Sequence, residues 1–166
     1  MQNTPSTTSV GLKYGLYTLF AYLLVNIMLT QAIPAGGMAF MLNLIVFSAG
    51  ISYGMLEFRR GNSDIMTYLQ GLNLGLVISA ISGLFLAVLG AVTMSFVPEK
   101  ELKMMKDVYL KNLESFGNYS AEQMKEVQSM ANFMYSPTGA FVSMMFGWLL
   151  LGTIITLLLS LFMRQK

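Results

Sequence analysis

Carboxylates at the ends of apolar segments are the side chains best suited to catalysis in this sequence, which contains no His and no Cys. Glu57 follows an apolar segment and stands close to Arg59 and Arg60, so it is a candidate acid or base. A carboxylate in that position is usually solvated or ion-paired. Glu99 and Glu101 are neighbours only in sequence, because residues two positions apart on a helix face different sides. These carboxylates therefore predict no catalytic pair.

The other residue types that enzyme chemistry needs are missing or lack partners. Without Cys and His the chain has no thiolate nucleophile, no imidazole base and none of the usual zinc ligands. No Gly-rich phosphate loop follows a strand. An active site would require carboxylates from separate segments, such as Glu57 and Asp64, to meet in one cleft. We therefore expect a protein that is not an enzyme, with no catalytic residue, no cofactor and no metal site.

Long apolar segments separate the charged residues. Residues 14–56, 65–98 and 127–163 contain no Asp, Glu, Lys or Arg. A helix rises about 1.5 Å per residue and a bilayer core is about 30 Å thick, so roughly 20 apolar residues span a membrane. The first segment is long enough for two helices. The sequence predicts one membrane domain over residues 1–166, with spans at about 14–33, 38–56, 66–97 and 139–163.

Composition supports a membrane protein. Hydrophobic residues make up 55% of the chain and charged residues only 11%, whereas soluble domains carry roughly 25% charged residues. The net charge is +2, and the Lys and Arg residues stand beside acids or at segment ends rather than in one basic patch. Membrane lipid is therefore an expected partner, and nucleic acid is not.

The charged stretch between the third and fourth spans, residues 98–137, predicts a helical hairpin outside the membrane. Glu99 and Glu101 place negative charge at a helix N-terminus. Ser120 and Gln123 have the spacing of a capping box, which begins a second helix. Each helix carries an apolar stripe with spacings of three and four. The stripes are Leu102, Met105, Tyr109, Leu113 and Phe116, and then Met124, Val127, Ala131 and Met134.

The expected fold is all-α: a four-helix transmembrane bundle with an extramembrane amphipathic helical hairpin between spans 3 and 4. Two turns join the first three spans. The segment Pro34-Ala35-Gly36-Gly37 is a chargeless cluster of helix breakers. Residues 57–64 form a charged turn, in which Gly61 and Asn62 supply a position that tolerates a positive φ.

Small residues recur at every fourth position of the third span, and such a stripe lets another helix approach closely. The stripe has three interpretations: packing within one chain, a homo-oligomer interface, or a substrate path along the groove. Gly50 and Gly54 on the second span offer a partner face. The stripe consists of Gly71, Gly75, Ser79, Gly83, Ala87 and Ala91, followed by Ser95.

Amides lie in three different spans, at Asn26, Asn43 and Asn73. Buried amides need hydrogen-bond partners, so these residues are expected to lock helix positions. A transport site is the alternative interpretation. Ion and proton pathways usually contain Asp, Glu, Lys or Arg at mid-membrane depth, and no span contains one. Any transported substrate would therefore be neutral or hydrophobic.

The hairpin is the expected place of function. Its stripes are rich in Met, a flexible side chain that adapts to changing partners. One interpretation is that its two helices pack on each other and lie against the membrane surface. The other is that residues 99–136 recognise another envelope protein or a lipid.

The basic residues near the span ends predict the orientation. Arg59 and Arg60 adjoin a span directly, whereas the five Lys residues of the hairpin are interspersed with six acids. Since Lys and Arg are retained on the cytoplasmic side, we expect cytoplasmic termini and a periplasmic hairpin at residues 98–137.

Five short motifs follow one another along the chain in an order that is typical of one protein family. They are Phe58-Arg59-Arg60-Gly61-Asn62, Val97-Pro98-Glu99, Ser120-Ala121-Glu122-Gln123-Met124, Tyr135-Ser136-Pro137 and Arg164-Gln165-Lys166. With this arrangement the chain resembles the bacterial family catalogued as domain of unknown function 4199. The resemblance covers nearly the whole chain and implies a multi-pass inner-membrane protein of a Gram-negative bacterium. It brings no assigned activity and no site residues.

The functional expectation is a non-enzymatic structural or interaction protein of the bacterial envelope, located in the inner membrane. A small oligomeric transporter or channel-like protein for a neutral or hydrophobic substrate is the alternative.

Overall fold

The computed structural model describes residues 5–32, 37–117 and 119–163. Within these ranges the fold is all-helical, as predicted, with six helices and no strand. The turn expected at Pro34, Ala35 and Gly36 and the basic residues 164–166 lie outside the described residues. The helices are α1 (Thr7–Ala32), α2 (Gly37–Gly61), α3 (Tyr68–Ser95), α4 (Glu99–Phe116), α5 (Ala121–Met134) and α6 (Pro137–Met163).

Four of these helices, α1, α2, α3 and α6, are long and apolar enough to cross a membrane. This finding confirms the expected four candidate spans of a helical membrane protein. The two remaining helices, α4 and α5, follow the third candidate span in the chain and precede the fourth. Their position agrees with the predicted hairpin.

The first two helices extend beyond their apolar segments. Helix α1 begins at Thr7, well ahead of Lys13, because the Ser6 hydroxyl accepts a hydrogen bond of 3.0 Å from the Ser9 backbone N–H. Helix α2 continues through Glu57 to Gly61. Lys13 of α1 and Glu57 of α2 therefore both lie on regular helical turns, and the helix geometry determines the direction of each side chain.

The turn after α2 differs from the expectation at Gly61 and Asn62. Positive φ angles occur instead at Ser63 and Asp64, with values of 55° and 60°. Asp is among the residues that tolerate this left-handed conformation. The Asp64 backbone N–H donates to the Arg59 carbonyl at 2.9 Å, which closes the end of the helix.

The chain divides into two compact units, described here one at a time. The first comprises residues 1–85 and 147–166, and α1, α2 and parts of α3 and α6 supply its helices. Its buried core draws on α1, α2, α3 and the turn before α3, and Trp148 of α6 packs against it with its ring centroid 4.8 Å from that of Phe47. The core residues are Val10, Phe47, Ile51, Met55, Phe58, Met66, Leu74 and Ile78.

In this unit, the small residues of α3 lie against α6 of the same chain. Small or hydroxyl-bearing residues of α6 stand opposite most of them, so the two backbones approach closely. The spacing of four residues is the same on both helices, which keeps the contacts in register over about three turns. The facing pairs are Gly71 with Ser160, Gly75 with Thr156, Ser79 with Gly152, and Gly83 with Trp148.

The glycines of α2 face other neighbours. A side chain at Gly50 would meet Thr18 of α1, and one at Gly54 would meet Ile78 of α3 at 2.7 Å. Gly50 is therefore not the partner of the α3 stripe. Its small size instead allows α1 and α2 to pack closely, because any larger side chain would overlap the Thr18 hydroxyl.

In the second unit, residues 86–146, the last part of the stripe continues on α3. Ala87 is fully buried and Ala91 is half-buried. The neighbouring Gly90 lies against Met144 of α6. Small residues thus accompany close contacts in this unit as well.

We expect Gly152→Val to destabilise the protein. The new side chain would overlap Ser79, and overpacking of this kind costs about 1–3 kcal/mol. Gly147→Val on the same helix is the matched control, because a Cβ atom at Gly147 has no other atom within 4 Å. Thermal unfolding of the purified protein in detergent measures the difference. Equal melting temperatures for the two variants would contradict the close contact between α3 and α6.

Candidate interaction site

The hairpin of α4 and α5 begins and ends through local sequence signals. Helix α4 follows Pro98, and Glu99 and Glu101 in its first turn stabilise the positive end of the helix dipole. It ends at Gly117, whose backbone is extended. Helix α5 begins with the predicted capping box, which satisfies two backbone N–H groups: Gln123 N–H donates to the Ser120 hydroxyl at 3.2 Å, and Ser120 N–H donates to the Gln123 side chain at 2.9 Å.

The two helices touch over a small area. Ala131 is the only fully buried residue of α5, and α4 has none. Tyr109 on α4 and Tyr135 after α5 make an edge-to-face aromatic contact with ring centroids 6.1 Å apart. Most other members of the two apolar stripes are only half-buried, namely Leu102, Leu113, Met124 and Val127.

A cleft of about 530 Å³ lies between α4 and α5 and is lined by residues of both helices. Lys103, Lys106 and Asp107 contribute charge from α4, and Gln128 and Asn132 contribute amides from α5. No side chain in residues 98–117 or 119–137 forms an ion pair. The charges that surround this cleft are therefore available to a partner.

Large apolar side chains are also exposed on the hairpin. Phe116, at the end of α4, is 85% exposed, and Met104 on the outer side of that helix is 63% exposed. Single exposed apolar residues are ordinary, but a group of them on an element with almost no core is typical of a contact surface. The exposed group, called the hairpin apolar surface below, consists of Met104, Met105, Val108, Phe116, Met130, Phe133 and Met134.

The carboxylates considered for catalysis lie apart from one another. Glu57 accepts hydrogen bonds from Lys13 at 2.9 and 3.0 Å and from the Tyr14 hydroxyl at 2.7 Å. Asp64 lies 3.9 Å from Arg59, measured from Oδ1 to Nε. The two carboxylates therefore belong to separate ion pairs. No local pattern predicts the pairing of Lys13 with Glu57, because the two residues are 44 positions apart.

Glu99 and Glu101, the two acids that are neighbours in sequence, line different clefts. Glu99 lines the cleft between α4 and α5, whereas Glu101 and Met104 line a second cleft on α4. Lys103 and Asp107 line both clefts. Across residues 5–32, 37–117 and 119–163, no three acidic side chains come close enough to hold a metal ion.

Two of the three membrane amides bind each other. The Asn26 side-chain NH₂ donates to the Asn43 side-chain oxygen at 2.9 Å, and the reciprocal bond from Asn43 measures 3.3 Å. These bonds join α1 to α2. Asn73 is exposed on α3 and takes no part in the pair. The three amides therefore do not line a common path.

Comparison with known families identifies the chain. A family described as "Protein of unknown function (DUF4199)" matches residues 10–165. The chain belongs to the DUF4199 family. This match confirms the resemblance seen in the sequence motifs. The matched residues include most or all of each of the four candidate spans of the DUF4199 chain and the whole hairpin. No curated protein and no solved structure matches the chain.

Replacement of one amide in this DUF4199 protein should cost more than replacement of both. Asn43→Leu leaves the Asn26 side-chain oxygen without its Asn43 donor, while the Asn26 NH₂ keeps its hydrogen bond to the Tyr22 carbonyl. An unsatisfied polar group costs about 1–3 kcal/mol. The double variant Asn26→Leu, Asn43→Leu removes both polar groups and should be no less stable than Asn43→Leu. Chemical or thermal unfolding in detergent measures these differences.

Asn73→Leu serves as the control, because its exposed side chain makes no such bond and its loss should change the stability by less than about 0.5 kcal/mol. Strictly additive losses from the two single variants would contradict the coupling of Asn26 and Asn43.

Proposed function

We propose that this DUF4199 protein is a non-enzymatic interaction protein of the bacterial envelope, anchored in the inner membrane, and that residues 99–136 bind another envelope protein. The observation that carries the proposal is the nearly coreless hairpin of α4 and α5. Only Ala131 is fully buried in these two helices, while the hairpin apolar surface is exposed.

The lengths of the helices strengthen this argument. Helix α4 has 18 residues and α5 has 14. Isolated helices shorter than about 12–15 residues are marginal in water, and α5 lies near that limit. Most helical stability in proteins comes from packing. Contact with another surface would provide that packing. The Met side chains among the exposed residues can adapt to a partner of irregular shape.

The free charges of the cleft favour a protein partner over a bare apolar surface. Lys103 and Lys106 lie beside Asp107 without forming an ion pair. Unpaired charges of both signs around exposed apolar residues are suited to an interface in which polar contacts surround an apolar centre.

The four candidate spans supply the anchor. In the first unit, the α3 residues Gly71, Gly75, Ser79 and Gly83 face α6 of the same chain, which supports packing within one chain rather than a homo-oligomer interface. Asn26 and Asn43 bind each other, and Asn73 lies apart from them. No observation on the described residues therefore favours the alternative of a transporter.

Photo-crosslinking in cells tests the binding surface. A photoreactive residue at Met104 or Phe133 should give one defined crosslinked protein, because both side chains are exposed on the hairpin. A photoreactive residue at Phe162 of α6, which is also exposed, should not give that product. The double variant Met104→Glu, Val108→Glu should reduce the crosslink from Phe133 at least tenfold.

The double variant Asn112→Glu, Ser115→Glu is the matched control, since it adds the same two negative charges at exposed polar positions of α4 and should leave the crosslink intact. An unchanged crosslink in the double variant, or no defined product at either hairpin position, would contradict the proposal.

The proposed topology places the termini in the cytoplasm and the hairpin in the periplasm. The chain has no Cys, so single cysteines provide clean probes. We expect a membrane-impermeant maleimide added to intact spheroplasts to label Ser129→Cys, which is exposed on α5. Ser63→Cys in the turn before α3 should react only after the membrane is opened. The reverse pattern would show the opposite orientation.

A further inference from the structure

A groove runs between α1 and α2 in the first unit. Its volume is about 340 Å³, which is within the range of small-molecule sites. Small side chains form its floor, namely those of Thr18 and Ala21 on α1 and of Ala49 on α2. Two exposed aromatic residues, Tyr17 and Tyr53, flank it. The groove is therefore narrow and apolar, with an aromatic rim.

The groove leads into a polar cleft at one end. Tyr14 and Tyr53 line both the groove and a smaller cleft of about 120 Å³. The smaller cleft adds Glu57 and Arg60, close to the end of α2. The apolar groove thus adjoins a charged cleft, and both lie between α1 and α2.

The charge of this polar end is positive. Glu57 is neutralised by Lys13 at 2.9 Å and also accepts the Tyr14 hydroxyl hydrogen bond. Arg60 is exposed and forms no ion pair with any side chain that the structure describes. One guanidinium group therefore remains free at the mouth of an apolar groove. Arg is well suited to bind phosphate through two parallel hydrogen bonds.

We propose that this groove binds one anionic phospholipid, with an acyl chain between α1 and α2 and the phosphate on Arg60. Basic pockets between membrane helices are suited to lipid headgroups, and Tyr side chains favour the depth at which headgroups lie. The free Arg60 guanidinium suits the phosphate of such a lipid, and the adjoining apolar groove suits its acyl chain. A helix from a second copy of the chain would fill the apolar part only.

Lipid titration of the full-length protein, delipidated in detergent, tests the headgroup contact. Native mass spectrometry compares phosphatidylglycerol with phosphatidylcholine of the same acyl chains. We expect one tightly bound phosphatidylglycerol per chain and weaker binding of phosphatidylcholine. Arg60→Gln should weaken phosphatidylglycerol binding about tenfold, as expected for the loss of a charge-assisted hydrogen bond. Lys111→Gln on α4 removes the same charge elsewhere and should leave this binding unchanged.

Filling the groove tests the acyl-chain contact. Ala49→Phe or Ala21→Leu should reduce the binding of both lipids at least tenfold, because the new side chain occupies the floor of the groove. Ile45→Phe is the control, since Ile45 lies one turn away on α2, is exposed and does not line the groove. Circular dichroism of each variant verifies that its helices are intact.

Three results would overturn the proposal. One is unchanged phosphatidylglycerol affinity in Arg60→Gln. Another is tight lipid binding by a helical Ala49→Phe variant. The third is a dimer of the wild-type chain that Ala49→Phe dissociates without any loss of bound lipid, which would assign the groove to a second copy.

Discussion

Helix packing in this protein depends on how closely two backbones can approach. Lipid tails are as apolar as Leu, so burial of apolar surface does not by itself hold membrane helices together. In the first unit, close contact is obtained by placing Gly75 opposite Thr156 and Gly152 opposite Ser79. The Ser79 hydroxyl donates to the Gly75 carbonyl of its own helix at 2.7 Å, so it brings no unsatisfied donor into the contact. Dispersion contacts between the two backbones then stabilise the pair.

The class of fold was predictable because a membrane-spanning helix needs about 20 consecutive apolar residues with few or no charges. The length of such a segment and its lack of charge can both be read from the sequence. Three long charge-free segments and a capping box at Ser120 predicted four spans and a hairpin, and the structure has these elements. Such features are local. Each depends on residues within a few turns of one another, so periodicity and end signals are enough to locate them.

Contacts between distant parts of the chain were beyond sequence reasoning. The pairing of Lys13 with Glu57 joins two helices across 44 positions, and local end signals such as Ser6 and Gly61 do not specify how those helices meet. The bond between Asn26 and Asn43 depends in the same way on the relative rotation of two helices. The groove between α1 and α2 is a product of that rotation too. Glu57 was expected to be solvated or ion-paired beside Arg59 and Arg60, and the structure pairs it with the distant Lys13 instead.

The Lys13–Glu57 pair also bears on how the chain enters the membrane. Residues 14–56 contain no charged side chain, so α1 and α2 can insert together without moving a charge across the bilayer. Transfer of a single Lys, Arg or Asp to the membrane centre costs about 2.5–3.5 kcal/mol on insertion scales. In the structure, the two ionised groups that flank this segment lie 2.9 Å apart. The ion pair therefore joins α1 to α2 at the two ends of the charge-free segment that lies between its members.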